Sequence, residues 1–200
     1  MRTIAALLVL TSLWGEMSSR IASARGARAF ERKEYAQAAK EFRRALELVP
    51  SAQNAFNLGT AEIAAGQREQ GSATLAAAIK DPALRADALY NRGNSALASK
   101  ALDHAIRDYA DALRANPNHA AAKRNLEIAL QRQEQQRRNA SASGQPNQQG
   151  RSQPQPAPAQ GQQKPKGQID LEALLRSVQQ QEADELRRMK GKAGEARVGW

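Results

Sequence analysis

The chain contains no cysteine. That excludes a disulfide-stapled scaffold, a thiolate zinc site, a thiol nucleophile and the lipidated cysteine of a bacterial lipoprotein. Aromatic residues make up only 4% of the sequence against 41% hydrophobic residues in all. With alanine so abundant, any core is thin and built from closely approaching helices. There are two histidines. His104 falls on an outer helix face and His119 in a turn beside Pro117, and both read as solvated surface. No HExxH, no P-loop, no GxSxG and no GxGxxG occurs, so nothing marks a zinc hydrolase, a phosphate cradle, a serine esterase or a dinucleotide fold. Asp103, Asp108 and Asp111 interleave with Arg107 and Arg114 at helical spacing, as surface pairs do. The reading is of no enzyme, no metal and no cofactor.

The net charge is +10, and its distribution matters more than its total. Residues 25–135 hold 17 basic and 13 acidic residues, whereas 136–168 hold five basic and none acidic. Half of the excess therefore lies in a segment with five of the eight prolines, many glutamines and no aliphatic larger than alanine. Such a composition cannot bury enough surface to fold. Nucleic-acid readers concentrate charge on a folded face with aromatics for stacking, so a cytoplasmic scaffold that binds RNA or anionic surfaces through Arg137, Arg138, Arg151, Lys164 and Lys166 ranks second.

One extended apolar run, Ile4–Trp14, follows Arg2 and is broken only by Thr11 and Ser12. Eleven helical residues span ~17 Å against a hydrocarbon core of ~30 Å, which suits a signal-peptide h-region better than a span. Ala22-Ser23-Ala24 offers a cleavage motif. Residues 1–24 are thus expected to be a signal peptide or a retained membrane anchor, cut after Ala24 in the first case, on an exported protein that is periplasmic or held at the periplasmic side of the inner membrane.

The organising feature is a repeat. AFNLGTAEIA at 55–64 and ALYNRGNSAL at 88–97 share an aromatic, then Asn, one residue and Gly. Gly26, Gly59 and Gly93 lie 33 and 34 residues apart; twelve residues after each stands a small residue, Ala38, Gly71 or Ala105. Four further come Phe42, Leu75 and Tyr109, then Ala45, Ala78 and Ala112, and finally Pro50, Pro82 and Pro117, with Pro82 one residue early. A period of this length signals stacked supersecondary units. Gly on a first helix is expected to face the small residue on a second, the large residue and its following Ala to pack on the neighbouring unit, and Pro to stop the helix.

These positions resemble the tetratricopeptide repeat (TPR), with its W-x2-L-G-x2-Y, A-x3-F and P signature. The third copy, ALYNRGNSALASKALDHAIRDYADALRANP, is the nearest to consensus. The resemblance implies an all-α solenoid of helical hairpins: a TPR domain over 25–138, with repeats at about 20–52, 53–85 and 86–119 and a capping helix at 120–138. A disordered Gln/Pro-rich linker follows at 139–168. The last segment, 169–200, reads as a short amphipathic helix with a tail, its stripe being Leu171, Leu174, Leu175, Val178, Leu186 and Met189.

The resemblance also implies that the first helices line a concave face. Asn57, Asn91 and Asn125 recur there at intervals of 34, and an amide offers a donor and an acceptor to a peptide backbone. Phe56, Asn57, Thr60, Tyr90, Asn91, Asn94, Arg124 and Asn125 are therefore the candidate peptide-binding residues. A clamp for a C-terminal carboxylate needs basic and Asn residues in the first repeat, where Ser23 and Ala27 stand. Leader, repeats, Gln/Pro-rich linker and the closing LLRSVQQQEADELRR are similar to the Bat proteins of the bacterial aerotolerance operon. That likeness implies protein partners among membrane-anchored von Willebrand A-domain proteins and a MoxR-type ATPase system.

Overall fold

The computed structural model describes the backbone of residues 2–143 and the side chains of 13–141, together with Ala173, Arg176, Gln180 and Arg187. Seven helices follow one another: α1 (Arg2–Glu31), α2 (Tyr35–Leu48), α3 (Ala52–Ala64), α4 (Arg68–Ile79), α5 (Arg85–Ala98), α6 (Leu102–Ala115) and α7 (Ala120–Ser143). Among the described residues there is no strand. Contacts divide the chain into one unit at Met1–Leu130 and a second at Gln131–Trp200. In the first, α1 packs on α2, α3 on α4 and α5 on α6, and α2 and α4 also meet the hairpin that follows them. The first helices touch one another, α1 with α3 and α3 with α5, while α2, α4 and α6 make no comparable contact among themselves. The stack therefore curves with α1, α3 and α5 on its inner side.

Local signals explain the boundaries. In α2 the buried residues Ala38, Ala39, Phe42 and Ala45 recur at helical spacing, and α6 repeats the pattern with Ala105, Ile106, Tyr109 and Ala112. Val49 and Asn116 are extended (φ −138° and −143°), as residues before proline must be, and both helices end there. Ser51 caps α3 by accepting the Asn54 N–H at 3.1 Å. The early Pro82 goes with a shorter α4, 12 residues against 14 in α2 and α6.

In the first and third hairpins the repeat glycine faces a ring, not the small residue that the spacing had suggested; only in the middle hairpin does Gly59 meet Gly71. A Cβ on Gly26 would lie 2.8 Å from the Phe42 ring, and one on Gly93 2.7 Å from Tyr109 Cε1. The partner in each hairpin is thus the large residue sixteen positions on, so Phe42 and Tyr109 fill their own hairpin. In the middle hairpin the ring is replaced by Leu75, 2.8 Å from a Cβ on Gly59, and here the backbones meet as well. A Cβ on Gly71 would stand 2.6 Å from the Gly59 carbonyl oxygen. The smaller side chain brings the helices so close that neither glycine can carry a methyl.

Each hairpin turn passes through one left-handed residue: Lys33 (φ 61°), Gly66 (φ 86°) and Lys100 (φ 60°). The bonds around them match. Glu34, Gln67 and Ala101 N–H groups reach back to Ala29, Glu62 and Ala96 carbonyls at 2.8–2.9 Å, closing the helix ends in Schellman fashion. A left-handed L-residue carries a steric cost of ~1–2 kcal/mol that glycine lacks. Lys33→Gly and Lys100→Gly are therefore each expected to stabilise the fold, by about 0.5–1 kcal/mol once glycine's chain entropy is subtracted, and Gly66→Ala to destabilise it by about 1 kcal/mol. Urea unfolding midpoints measure all three; a loss of stability in both Lys variants would refute the turn assignment.

α1 runs unbroken through the expected boundary at 24/25. Ser19 and Ala22 on its N-terminal side are buried against the first hairpin. At the other end α7 continues to Ser143, five residues past the expected cap, since its polar run of Gln, Glu and Arg favours a helix. Residues 144–168 and the apolar stripe of the closing segment lie outside the described residues. Ala173, Arg176, Gln180 and Arg187 are helical and exposed.

Candidate peptide-binding groove

On the inner side, between α1 and α3, opens a pocket of about 280 Å³ lined by Ala27, Phe30, Glu31, Phe42, Phe56, Asn57 and Thr60. Its floor is aromatic and its rim carries an amide, a hydroxyl and a carboxylate. Phe56 reaches it from the core, where it also packs against the cluster of Leu75, Ala78 and Ala88. Three of the expected contact residues, Phe56, Asn57 and Thr60, thus come together around one cavity.

The other expected residues form a different arrangement. The Asn91 amide donates to Thr60 Oγ1 at 3.0 Å, and the Asn125 amide to Asn94 Oδ1 at 2.8 Å, each bond spanning 31 residues from one inner helix to the previous one. Asn94 Oδ1 also accepts from the Tyr109 hydroxyl at 2.8 Å. The 34-residue recurrence of asparagine therefore builds a ladder that fixes the register of neighbouring hairpins. The rung is missing for Asn57. The place matching Thr60 and Asn94 is taken in the first hairpin by Ala27, which has only a methyl, and the pocket opens there. Asn57 Oδ1 accepts instead from Gln53 on its own helix at 3.0 Å.

Tyr90 is half-buried, its ring 4.8 Å from His119 and 6.1 Å from Tyr109. Arg124 stands exposed on α7. The surface reading of His119 is corrected: its side chain is only 12% exposed, its Nδ1 accepts the Ala122 N–H at 3.2 Å to cap α7, and Nε2 lies 3.3 Å from Asp87. His104 is exposed, beside Arg107. Asp111 pairs with Arg114 as expected, but Asp108 is buried and holds Arg92 through two bonds, at 2.9 and 2.5 Å. The hydrogen bond from Arg92 to that carboxylate raises the guanidinium above its usual pKa.

Several positioning residues had no sequence signal. Glu62 is fully buried and accepts from Arg43 at 2.7 Å, Gln70 at 2.8 Å and Thr74 at 2.7 Å, tying α2, α3 and α4 together. Its counterparts in the other hairpins are Ala29 and Ala96, so no repetition advertised it. Phe30, Ala27 and Glu31 belong to the pocket and lay outside the recurring pattern. Of the five basic residues of the anionic-surface alternative, only Arg137 and Arg138 are described, and Arg138 is paired with Glu134.

No family profile and no curated protein matches the sequence. Solved structures do match. The TPR domain of Arabidopsis OM64 superposes with a TM-score of 0.56 at 18% identity, over 59% of this chain and 98% of that one. The first TPR domain of Spaghetti (RPAP3), solved bound to the HSP90 peptide SRMEEVD, gives 0.52 at 20% identity, over 58% and 93%. At such identities the likeness carries the fold. The chain is an all-α helical-hairpin solenoid of TPR fold.

Proposed function

We propose that this solenoid is a non-enzymatic scaffold that holds an extended segment of a partner protein along α1, α3, α5 and α7. The observation that carries the reading is the pocket at the missing rung. A cavity of about 280 Å³ with an aromatic floor suits one apolar side chain, and the rim amide of Asn57 suits the backbone on either side of it. The first hairpin presents Ser23 and Ala27 where a carboxylate clamp would need cations, so the groove selects by an apolar anchor. The finer setting remains part of the proposal: export to a bacterial envelope, with von Willebrand A-domain proteins and a MoxR-type ATPase system as partners. It rests on the resemblance of leader, repeats and closing segment.

A photo-crosslinking residue placed at Asn57 is expected to capture a partner, and the same residue at the exposed Ala76 of α4 to capture none. Ala27→Leu fills the pocket from an exposed position and leaves the core alone; it is expected to weaken binding of the captured segment by about tenfold or more. Equal capture from both faces, or unchanged affinity in the Leu variant, rules the groove out.

A further inference from the structure

α1 carries two opposed faces. One is made of small residues, with Ser19, Ala22, Gly26 and Ala29 buried against the first hairpin. Ser19 Oγ donates to the Ala45 carbonyl at 2.9 Å and accepts from Asn54 Nδ2 at 3.2 Å, while Ser23 Oγ donates to Asn54 Oδ1 at 3.1 Å. Asn54 is itself buried, so a cut after Ala24 would remove two of its partners and uncover the alanines of α2. The opposite face is apolar and open. Leu13, Trp14, Met17 and Ile21 are 57, 70, 55 and 49% exposed and line a groove of about 640 Å³ with Glu16, Arg20 and Ala24.

We infer that α1 is retained in the mature protein and lays this face into one leaflet of an anionic phospholipid bilayer. What precedes the stripe decides the occupant. The same helix continues back through Ile4–Leu10, seven residues with no polar side chain among them. At ~1.5 Å per residue the apolar stretch from Ile4 to Trp14 covers ~17 Å, about half of a hydrocarbon core. No helix among the described residues is long and apolar enough to cross a membrane. Such a segment enters one leaflet and lies along the interface. Trp14 stands where the apolar run ends, the depth at which an indole keeps its ring in the acyl layer and its N–H among headgroups. Arg20, Arg25 and Arg28 are exposed on the following turns and complement anionic headgroups; Glu16 opposes them. A protein groove would satisfy the stripe at 13–21 but leaves the apolar turns before it unanswered.

The test uses the full chain carrying Trp200→Phe, so that Trp14 alone reports. With vesicles of phosphatidylglycerol and phosphatidylethanolamine in equal parts, flotation is expected to persist at high salt, and Trp14 emission to shift to the blue. The triple variant Leu13→Ser, Met17→Ser, Ile21→Ser changes exposed positions only. It is expected to keep its melting temperature and lose at least ~tenfold in partition. The mass of the protein recovered from bacterial membranes is expected to include residues 1–24. Four results would each overturn the inference: undiminished flotation of the variant; flotation abolished by salt, which would assign it to the basic linker; a dimer in the absence of vesicles that the variant dissolves; or a mature chain beginning at Arg25. None of these depends on whether the groove binds a peptide.

Discussion

Arg43→Met is expected to lower the unfolding free energy by about 3 kcal/mol, and Glu62→Met by only about 1 kcal/mol, although the two variants break the same ion pair. The asymmetry follows from burial. Glu62 has no access to solvent, whereas the Arg43 side chain is 42% exposed. Removing the arginine leaves a carboxylate inside the stack with only the Gln70 amide and the Thr74 hydroxyl to hold it. Removing the carboxylate frees a guanidinium that can turn to water, and Gln70, which is exposed, can do likewise. The double variant should recover most of the loss, because a buried pair replaced by apolar side chains of similar volume is often neutral. Urea unfolding of the four proteins closes the cycle. Equal losses in the single variants would show that the carboxylate is not held as described.

Gly93→Ala and Gly15→Ala are the same substitution within helices and are expected to have opposite signs. A methyl on Gly93 would come within 2.7 Å of Tyr109 Cε1, and the ring cannot swing away. Tyr109 is fully buried and its hydroxyl is bonded to Asn94. The loss should reach about 1–3 kcal/mol, with Gly93→Leu beyond that range. On Gly15 the nearest atom to a new Cβ is the Leu48 carbonyl oxygen at 3.9 Å, an ordinary contact. There the methyl simply improves the helix, by about 0.5–1 kcal/mol. Thermal unfolding of the two variants beside the parent decides it; a stabilising Gly93→Ala would mean that α5 and α6 do not cross at that residue.

The repeat was legible because its contacts constrain residue identity directly. A glycine under a ring and a proline after a helix admit few alternatives, so they recur in step through Gly26, Phe42 and Pro50 and their counterparts. The spacing could not say which residue the glycine faces, since positions twelve and sixteen further on lie on nearly the same side of the second helix. The asparagines were visible as a periodic feature, but a side chain that bridges two inner helices and one that waits for a ligand leave the same trace in a single chain. Glu62 and Arg43 were invisible for the opposite reason: a buried ion pair that occurs once has no period. The left-handed turns were not read from the sequence: a lone Gly66 names no conformation by itself, and lysine at 33 and 100 carries no mark of the one it is forced to adopt.

The incomplete ladder makes the inner surface directional. Toward α7 the amides answer one another; toward α1 the sequence of rungs stops at a methyl, and the aromatic floor lies bare. A bound chain would find its hydrophobic foothold at one end only, so that reversing its polarity would set its side chains against saturated groups. The surface would tell the head of a ligand from its tail, and one bare position, Ala27, would be the origin of that sense of direction.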